Sequence, residues 1–346
     1  MGRSHQQGYW AVMAGYLLVL AAGLFQGSFV VPMKYTRRWA WENTWLVFST
    51  TAYLLWPWLI AFLSLPQMLA TFSATSHRSL LLIAIFGLGW GLGALTFGLG
   101  VDRLGVALGF TVIIGVAASA GALIPLAVVS PEKLAQRQGV LTLLALLLVL
   151  AGIALCSWAG NLRISPTVVK EDRPPSSFTA GLAICIASGL LSSSANLGFS
   201  FGGEVIQRAI EHGANEALAG NSVWALMTVP LFVCNAGYSL MLLNKRGTFK
   251  LFRQTHTRSH WFLGALMGLL WIAGFVCYAP GARRLGPLGS SVGWAIMMAS
   301  MVITANLWGL LTGEWKGANR KAFAFLTGGV VILIGAIALV GYANRG

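Results

Sequence analysis

The stretch GLGWGLGALTFGLGVDRLG, residues 87–105, decides the fold. A related stretch, GLLWIAGFVCYAPGARRLG, occupies residues 268–286, shifted by 181 positions. Eight of the nineteen aligned positions are identical without a gap: Gly87/Gly268, Leu88/Leu269, Trp90/Trp271, Gly93/Gly274, Gly100/Gly281, Arg103/Arg284, Leu104/Leu285 and Gly105/Gly286. Shared tryptophan and Arg-Leu-Gly positions at constant spacing argue against chance, so the pattern predicts two copies of one structural unit.

Composition indicates a membrane protein. The 346 residues are 57% hydrophobic and only 9% charged, whereas a typical soluble domain has about 25% charged residues. Apolar runs long enough to cross a bilayer recur from end to end, and the first is too long for a cleaved signal peptide. The net charge of +14 does not indicate a nucleic-acid partner, because the basic residues lie in short loops between apolar runs, where they set topology.

Ten membrane-spanning helices are predicted, and we number them spans 1 to 10. Span 2 ends near residue 65 and span 4 near residue 129. The other eight cover residues 10–32, 80–101, 139–158, 179–203, 218–243, 261–281, 287–312 and 322–342. Residues 66–79 are expected to form a polar loop, and the short turn at residues 102–105 predicts a hairpin of spans 3 and 4.

The repeat divides the chain into residues 1–160, a central loop at 161–178, and residues 179–346. Pro174 and Pro175 disfavour helix in the loop. Five spans is an odd number, so the second copy must enter the membrane in the opposite orientation. We therefore expect an all-α integral membrane protein with ten transmembrane helices in two inverted five-helix repeats. Secondary transporters are typically built in this way, with a substrate site near the midplane that opens to each side in turn.

Charge sets the expected orientation. Fifteen of the 23 lysines and arginines lie in the loops that follow spans 1, 3, 5, 7 and 9. The positive-inside rule places those loops in the cytoplasm. In a bacterial inner membrane, both termini would then be periplasmic.

Aromatic and amide side chains inside the spans are the candidate substrate ligands. Trp90 and Trp271 are repeat-related and lie near the middle of their spans, where an indole face suits the C–H face of a sugar and its N–H needs a partner. Gln26 and Asn196 lie in the related spans 1 and 6, and buried amides often face a cavity. Weaker candidates for the same site are Tyr278 and Trp294. Packing and hydrogen bonds between helices are the alternative explanation for all six.

Charged side chains are missing from the centres of the spans, which favours a neutral, polyhydroxylated solute over a strongly charged one. If proton movement is coupled to transport, the titrating group must lie near a span end, and Glu42 and Glu204 are the candidates. Their alternative interpretation is a solvated helix-end carboxylate. The four cysteines have no metal-ligand spacing, and no cofactor or metal is expected.

Several stretches resemble the L-rhamnose–proton symporter family: residues 31–58, with the pattern W-x-W-E-x-x-W, the two glycine-rich stretches, and GEWKGANRK at residues 313–321. The resemblance covers most of the chain in order. It implies the fold of the drug/metabolite transporter superfamily and proton-driven uptake of L-rhamnose or a related deoxysugar. Where the family tends to have amides in span 3 and a glutamine in span 8, this chain has Ala94, Thr96 and Gly274.

Two other classes of function remain open on the sequence. One is a transporter of another small solute, such as a nucleotide sugar, an amino acid or a drug. The other is an intramembrane enzyme, which the placement of all five histidines outside the spans disfavours. Spans 5 and 10 are the most uniformly apolar, so we expect them at the periphery, where a homodimer contact could form.

Overall fold

The computed structural model describes residues 2–163 and 178–343. All regular structure in these residues is helical. Ten helices are long and apolar enough to cross a membrane, which confirms the predicted class. In chain order, spans 1 to 10 are Gly2–Ser28, Trp41–Ser64, His77–Leu104, Val106–Val129, Arg137–Arg163, Phe178–Phe201, Asn221–Arg246, Arg258–Arg284, Gly289–Leu311 and Arg320–Ala343. Residues 164–177 of the predicted central loop, including both of its prolines, lie outside the described residues.

Short helices occupy several of the connections. The prediction of a polar loop at 66–79 is wrong in part, because Met68–Ala74 is helical. It packs against a second short helix, Gly203–Glu211, which follows span 6. Val205 and Ala209 of that helix are buried four residues apart, on one face, and an apolar stripe of this kind stabilises a helix that lies along the bundle. Three 3₁₀ helices complete the connections: Val31–Tyr35, Pro131–Lys133 and Thr248–Arg253.

Packing between the spans is reciprocal. Span 1 packs on spans 8 and 9, while span 6 packs on spans 3 and 4. Span 3 packs on span 7, and span 8 packs on span 2. Each of the two sets of five spans therefore covers its first helix with helices of the other set.

Repeat-related glycines lie where these helices meet. A Cβ atom added to Gly87 would be 2.6 Å from Cγ of Pro230 in span 7, and one added to Gly268 would be 2.7 Å from the backbone nitrogen of Ala52 in span 2. Small residues let helices approach closely in a bilayer. Three more pairs have correspondingly placed neighbours: Gly93 and Gly274, Gly100 and Gly281, and Gly15 and Gly181.

Two further glycines end the repeated stretches in the same backbone conformation. Gly105 joins spans 3 and 4 with φ of 83°, and Gly286 lies between spans 8 and 9 with φ of 82°. Glycine populates positive φ without the steric cost of a Cβ atom. The tight turn expected between spans 3 and 4 is thus a single left-handed glycine.

Span 2 contains a π-helical segment, Thr50–Leu55. Its end is marked by the backbone N–H of Trp56, which donates to the carbonyl of Thr51 five residues earlier. Pro57 follows and has no N–H to offer the carbonyl of Tyr53, so the regular α-helical pattern cannot continue there. The wider turn directs Thr51, Ala52 and Tyr53 into the protein interior, where all three are buried.

Spans 5 and 10 pack closely against each other. A Cβ atom added to Gly152 would contact Leu333, and one added to Gly329 would contact Cys156. Their outward faces are apolar and exposed at residues such as Leu147 and Val331.

Candidate solute-binding site

Trp90 and Trp271 are in direct contact between spans 3 and 8. Their rings stack with centroids 5.3 Å apart and planes 28° apart. Trp271 is buried, and Trp90 is partly exposed. Neither indole N–H donates to a described residue, and neither belongs to the unpaired polar atoms that are sealed from solvent. The rings occupy the space between the two spans, so a solute meets the free face of Trp90 unless the pair separates.

Other aromatic rings extend this contact. Phe275 lies 5.2 Å from Trp90 and 4.7 Å from Trp271, measured between ring centroids. Tyr53 from span 2 meets Trp271 edge to face at 4.8 Å, and Trp224 from span 7 lies 4.7 Å from Phe275. We call these five residues the central aromatic cluster. Sequence reasoning missed three of its members, because each is an ordinary aromatic residue in an apolar run.

Gln26 fastens span 1 to span 8 beside this cluster. Its side-chain nitrogen donates to the backbone carbonyl of Trp271 at 2.8 Å, and the residue is buried. A Cβ atom added to Gly274 would be 2.6 Å from that nitrogen. The glycine found at 274, in place of the larger residue that the family resemblance implies, therefore makes room for Gln26.

Asn196, Tyr278 and Trp294 form a saturated polar network. The amide nitrogen of Asn196 donates to the carbonyls of Gly121 and Ser290 at 2.7 and 3.0 Å. The Tyr278 hydroxyl donates to Oδ1 of Asn196, and Nε1 of Trp294 donates to a span 4 carbonyl at 3.1 Å. All three residues are buried, and these bonds join spans 4, 6, 8 and 9. In this conformation the bonding groups of the network are committed to protein.

Glu42 is buried at the start of span 2. Its carboxylate accepts from Nη1 of Arg246 at 3.1 Å and from the Thr248 hydroxyl at 2.8 Å. The side chain has no exposed area, whereas that of Arg246 is 58% exposed. A carboxylate in the first turn of a helix is stabilised by the helix dipole, so a buried charge here has three sources of compensation.

Glu204 has a different environment at the opposite end of the bundle. It is partly exposed and accepts from the backbone N–H and the hydroxyl of Ser76, at 2.8 and 2.7 Å. Ser76 is the N-cap residue of span 3. The contacts of Glu204 therefore serve to position a helix end.

A third carboxylate, Glu314, joins the two halves of the chain. It forms salt bridges with Lys34 at the end of span 1 and with Arg163 at the end of span 5, the latter at 2.7 Å. Partial burial opposes ionisation, but the hydrogen bonds from Lys34 and Arg163 outweigh it and lower the pKa of Glu314. The sequence marks Glu314 only as the exit of span 9.

A separate cavity of about 220 Å³ lies near these salt bridges, between spans 4, 5 and 9. Asn161, Arg163, Asn306 and Trp315 supply its polar lining, and none of the predicted substrate or proton ligands contributes to it. Within residues 2–163 and 178–343, no cluster of His, Cys, Asp and Glu is arranged to hold a metal ion.

Comparison with known proteins gives a consistent result over almost the whole chain. A family model described as L-rhamnose-proton symport protein (RhaT) matches residues 10–345. Proteins named L-rhamnose-proton symporter are similar to this chain in three bacteria. The Escherichia coli protein is 26% identical, over 96% of this chain and 98% of its own length. Those of Cronobacter sakazakii and Salmonella paratyphi B are each 27% identical, over 96% of this chain and 97% and 98% of their own lengths.

Proposed function

The chain belongs to the L-rhamnose-proton symport family, and from that premise we propose that it takes up L-rhamnose together with protons. The observation that carries the proposal is the extent of the match, which includes all ten spans. Because the family consists of transporters, the chain is a transporter and not an intramembrane enzyme. The family name likewise disfavours nucleotide sugars, amino acids and drugs as the solute.

We place the sugar at the central aromatic cluster, between spans 1, 3, 6 and 8. The free indole N–H groups of Trp90 and Trp271 support this placement, as does the suitability of indole faces for the C–H face of a sugar. Gln26 lies beside the pair and provides the nearest amide. The network of Asn196, Tyr278 and Trp294 would contact sugar only after one of its present bonds opens.

Alternating access follows if the two five-span sets are inverted repeats, which we also propose. The reciprocal packing of spans 1 and 6 and of spans 3 and 8 supports this arrangement. So do the equivalent neighbours of the paired glycines. Separation of the stacked tryptophans is then the local event that admits the solute. We place the protein in a bacterial inner membrane with both termini periplasmic, and place a homodimer contact at the exposed faces of spans 5 and 10.

For the proton, we favour Glu42 over Glu204. Glu42 is fully buried and bonded to a residue of the other half, so its protonation would release Arg246 and loosen the contact between halves. Glu204 is partly exposed and bonded to a helix cap, so its protonation has a smaller structural consequence.

A reconstituted system tests the function. Purified protein in liposomes should exchange labelled L-rhamnose for internal unlabelled L-rhamnose, and an inward proton gradient should drive accumulation that a protonophore abolishes. A panel of other neutral sugars, nucleotide sugars and amino acids provides the controls. Exchange of a panel member with no exchange of L-rhamnose would contradict the proposed substrate.

A further inference from the structure

The hydroxyl group of Tyr53 lacks a hydrogen bond to any residue in the described part of the chain. It is also not one of the unpaired polar atoms that are sealed from solvent, so it borders space that another molecule can occupy. Only 4% of the residue is exposed. A buried hydroxyl without a partner costs free energy, and a buried tyrosine usually bonds its hydroxyl. The position therefore calls for a ligand.

The π-helical turn holds this hydroxyl in a defined place. The Thr51 hydroxyl bonds the carbonyls of Val47 and Phe48 within span 2, at 2.9 and 3.1 Å. The absence of a side chain at Gly268 lets the turn approach span 8 closely. Single π-helical turns inside α-helices are found frequently at functional sites.

Two neighbouring aromatic residues show why Tyr53 differs from the rest of the interior. The Tyr278 hydroxyl is also buried, but it bonds Asn196. The indole nitrogen of Trp224 has no partner but is sealed from solvent, so no ligand reaches it. Among the residues that make up the central aromatic cluster, the accessible and unpaired polar groups are those of Tyr53, Trp90 and Trp271.

We propose that the Tyr53 hydroxyl binds one oxygen atom of the sugar and determines specificity for the hydroxyl group at that position. The inference rests on the proposed function and adds a residue from span 2 to the site. Tyr53 meets Trp271 edge to face, and Trp271 stacks on Trp90. A sugar that contacts the tryptophan pair therefore comes within reach of the phenol. Three donors around an aromatic surface match a neutral, polyhydroxylated ring.

Tyr53→Phe and Tyr278→Phe form a matched pair, because each removes one hydroxyl and keeps the ring. Their L-rhamnose affinity and thermal melting are measured on purified protein. For Tyr53→Phe we expect unchanged melting and an affinity lower by roughly 5- to 30-fold. For Tyr278→Phe we expect lower melting, because Asn196 loses its partner, with nearly unchanged affinity in the folded protein. Unchanged affinity in Tyr53→Phe would overturn the proposal, and so would a marked loss of melting temperature, which would reveal a protein partner for the hydroxyl.

Monodeoxy analogues of L-rhamnose identify the contact. One analogue should bind the parent protein more weakly by a similar factor, and Tyr53→Phe should weaken that analogue no further. If Tyr53→Phe weakens every analogue equally, the hydroxyl does not contact the sugar. The parent protein separates the two levels of inference: if it binds no L-rhamnose, the proposed function fails, whereas normal parental binding with an unaffected variant contradicts only the role of Tyr53.

Discussion

At the residue scale, the polar side chains of the interior differ in whether their bonds cross between the halves. Gln26 crosses from span 1 to span 8, and Asn235 in span 7 accepts from the indole of Trp45 in span 2 at 3.1 Å. Glu42 crosses as an ion pair to Arg246. Such contacts must change partners if the halves move, and among them only the Glu42 carboxylate has a proton to exchange near neutral pH.

A substitution of Glu42 should separate transport from coupling. Glu42→Gln keeps the size of the side chain but cannot gain or lose a proton. We expect exchange of L-rhamnose across liposomes to continue, because exchange needs no net proton movement, while accumulation driven by a proton gradient falls to the background level. Uptake with and without the gradient measures both.

The control for this substitution is Glu204→Gln. It should accumulate L-rhamnose normally and lose only some thermal stability, because the amide replaces a carboxylate at the cap of span 3. Normal accumulation by Glu42→Gln, or its loss in Glu204→Gln alone, would count against Glu42 as the coupling group.

At the element scale, glycines determine how closely the helices approach. Span 3 meets span 6 at Gly93, where an added Cβ atom would be 2.6 Å from the backbone nitrogen of Ser192. Backbone atoms cannot move aside as a flexible side chain can, so the helices themselves must shift. One turn further along the same span, a Cβ atom at Gly98 would meet no heavy atom within 4 Å.

Alanine at these two positions tests that distinction. Gly93→Ala should lower stability by about 1–3 kcal/mol, the usual cost of overpacking, and reduce transport. Gly98→Ala should leave melting unchanged or slightly raised, since alanine is the better helix former. Thermal melting in detergent, followed by transport in liposomes, provides both readouts. Equal melting of the two variants would show that the close approach at Gly93 has no energetic importance.

At the scale of the whole molecule, ion pairs between the halves lie at one end of the bundle. Lys34 pairs with Glu314, and Arg246 pairs with Glu42, where spans 1, 7 and 9 end and span 2 begins. At the other end, the contacts between halves include hydrogen bonds of Ser76 with Glu204. The charge distribution that predicts orientation therefore also provides contacts that hold one end of the bundle together.

Cysteine labelling in intact cells tests the predicted orientation. After replacement of the four native cysteines, Ser73→Cys in the connection between spans 2 and 3 should react with an impermeant thiol reagent. Gln254→Cys, between spans 7 and 8, should react only after the membrane is permeabilised. Both positions are exposed, so access to reagent depends on the side of the membrane. The reverse pattern would show that the termini are cytoplasmic.

The amino-acid sequence by itself determined the helical membrane class, the ten spans and the family. Hydropathy and spacing are local properties, and each apolar run of about 20 residues must satisfy its backbone within its own helix. The motifs around Trp41, Glu42 and Trp45 were sufficient to indicate the family. The helix Met68–Ala74 was missed because its stability depends on packing against Gly203–Glu211, far away in the chain.

Only the tertiary structure decided which polar groups remain available to a solute. Sequence reasoning grouped Trp90, Trp271, Asn196 and Tyr278 together, but Asn196 and Tyr278 bond each other while the tryptophan N–H groups stay free. Tyr53 was not predicted, because its position depends on a π-helical turn. Whether a buried donor has a partner depends on contacts between distant helices, and neither hydropathy nor spacing records those contacts.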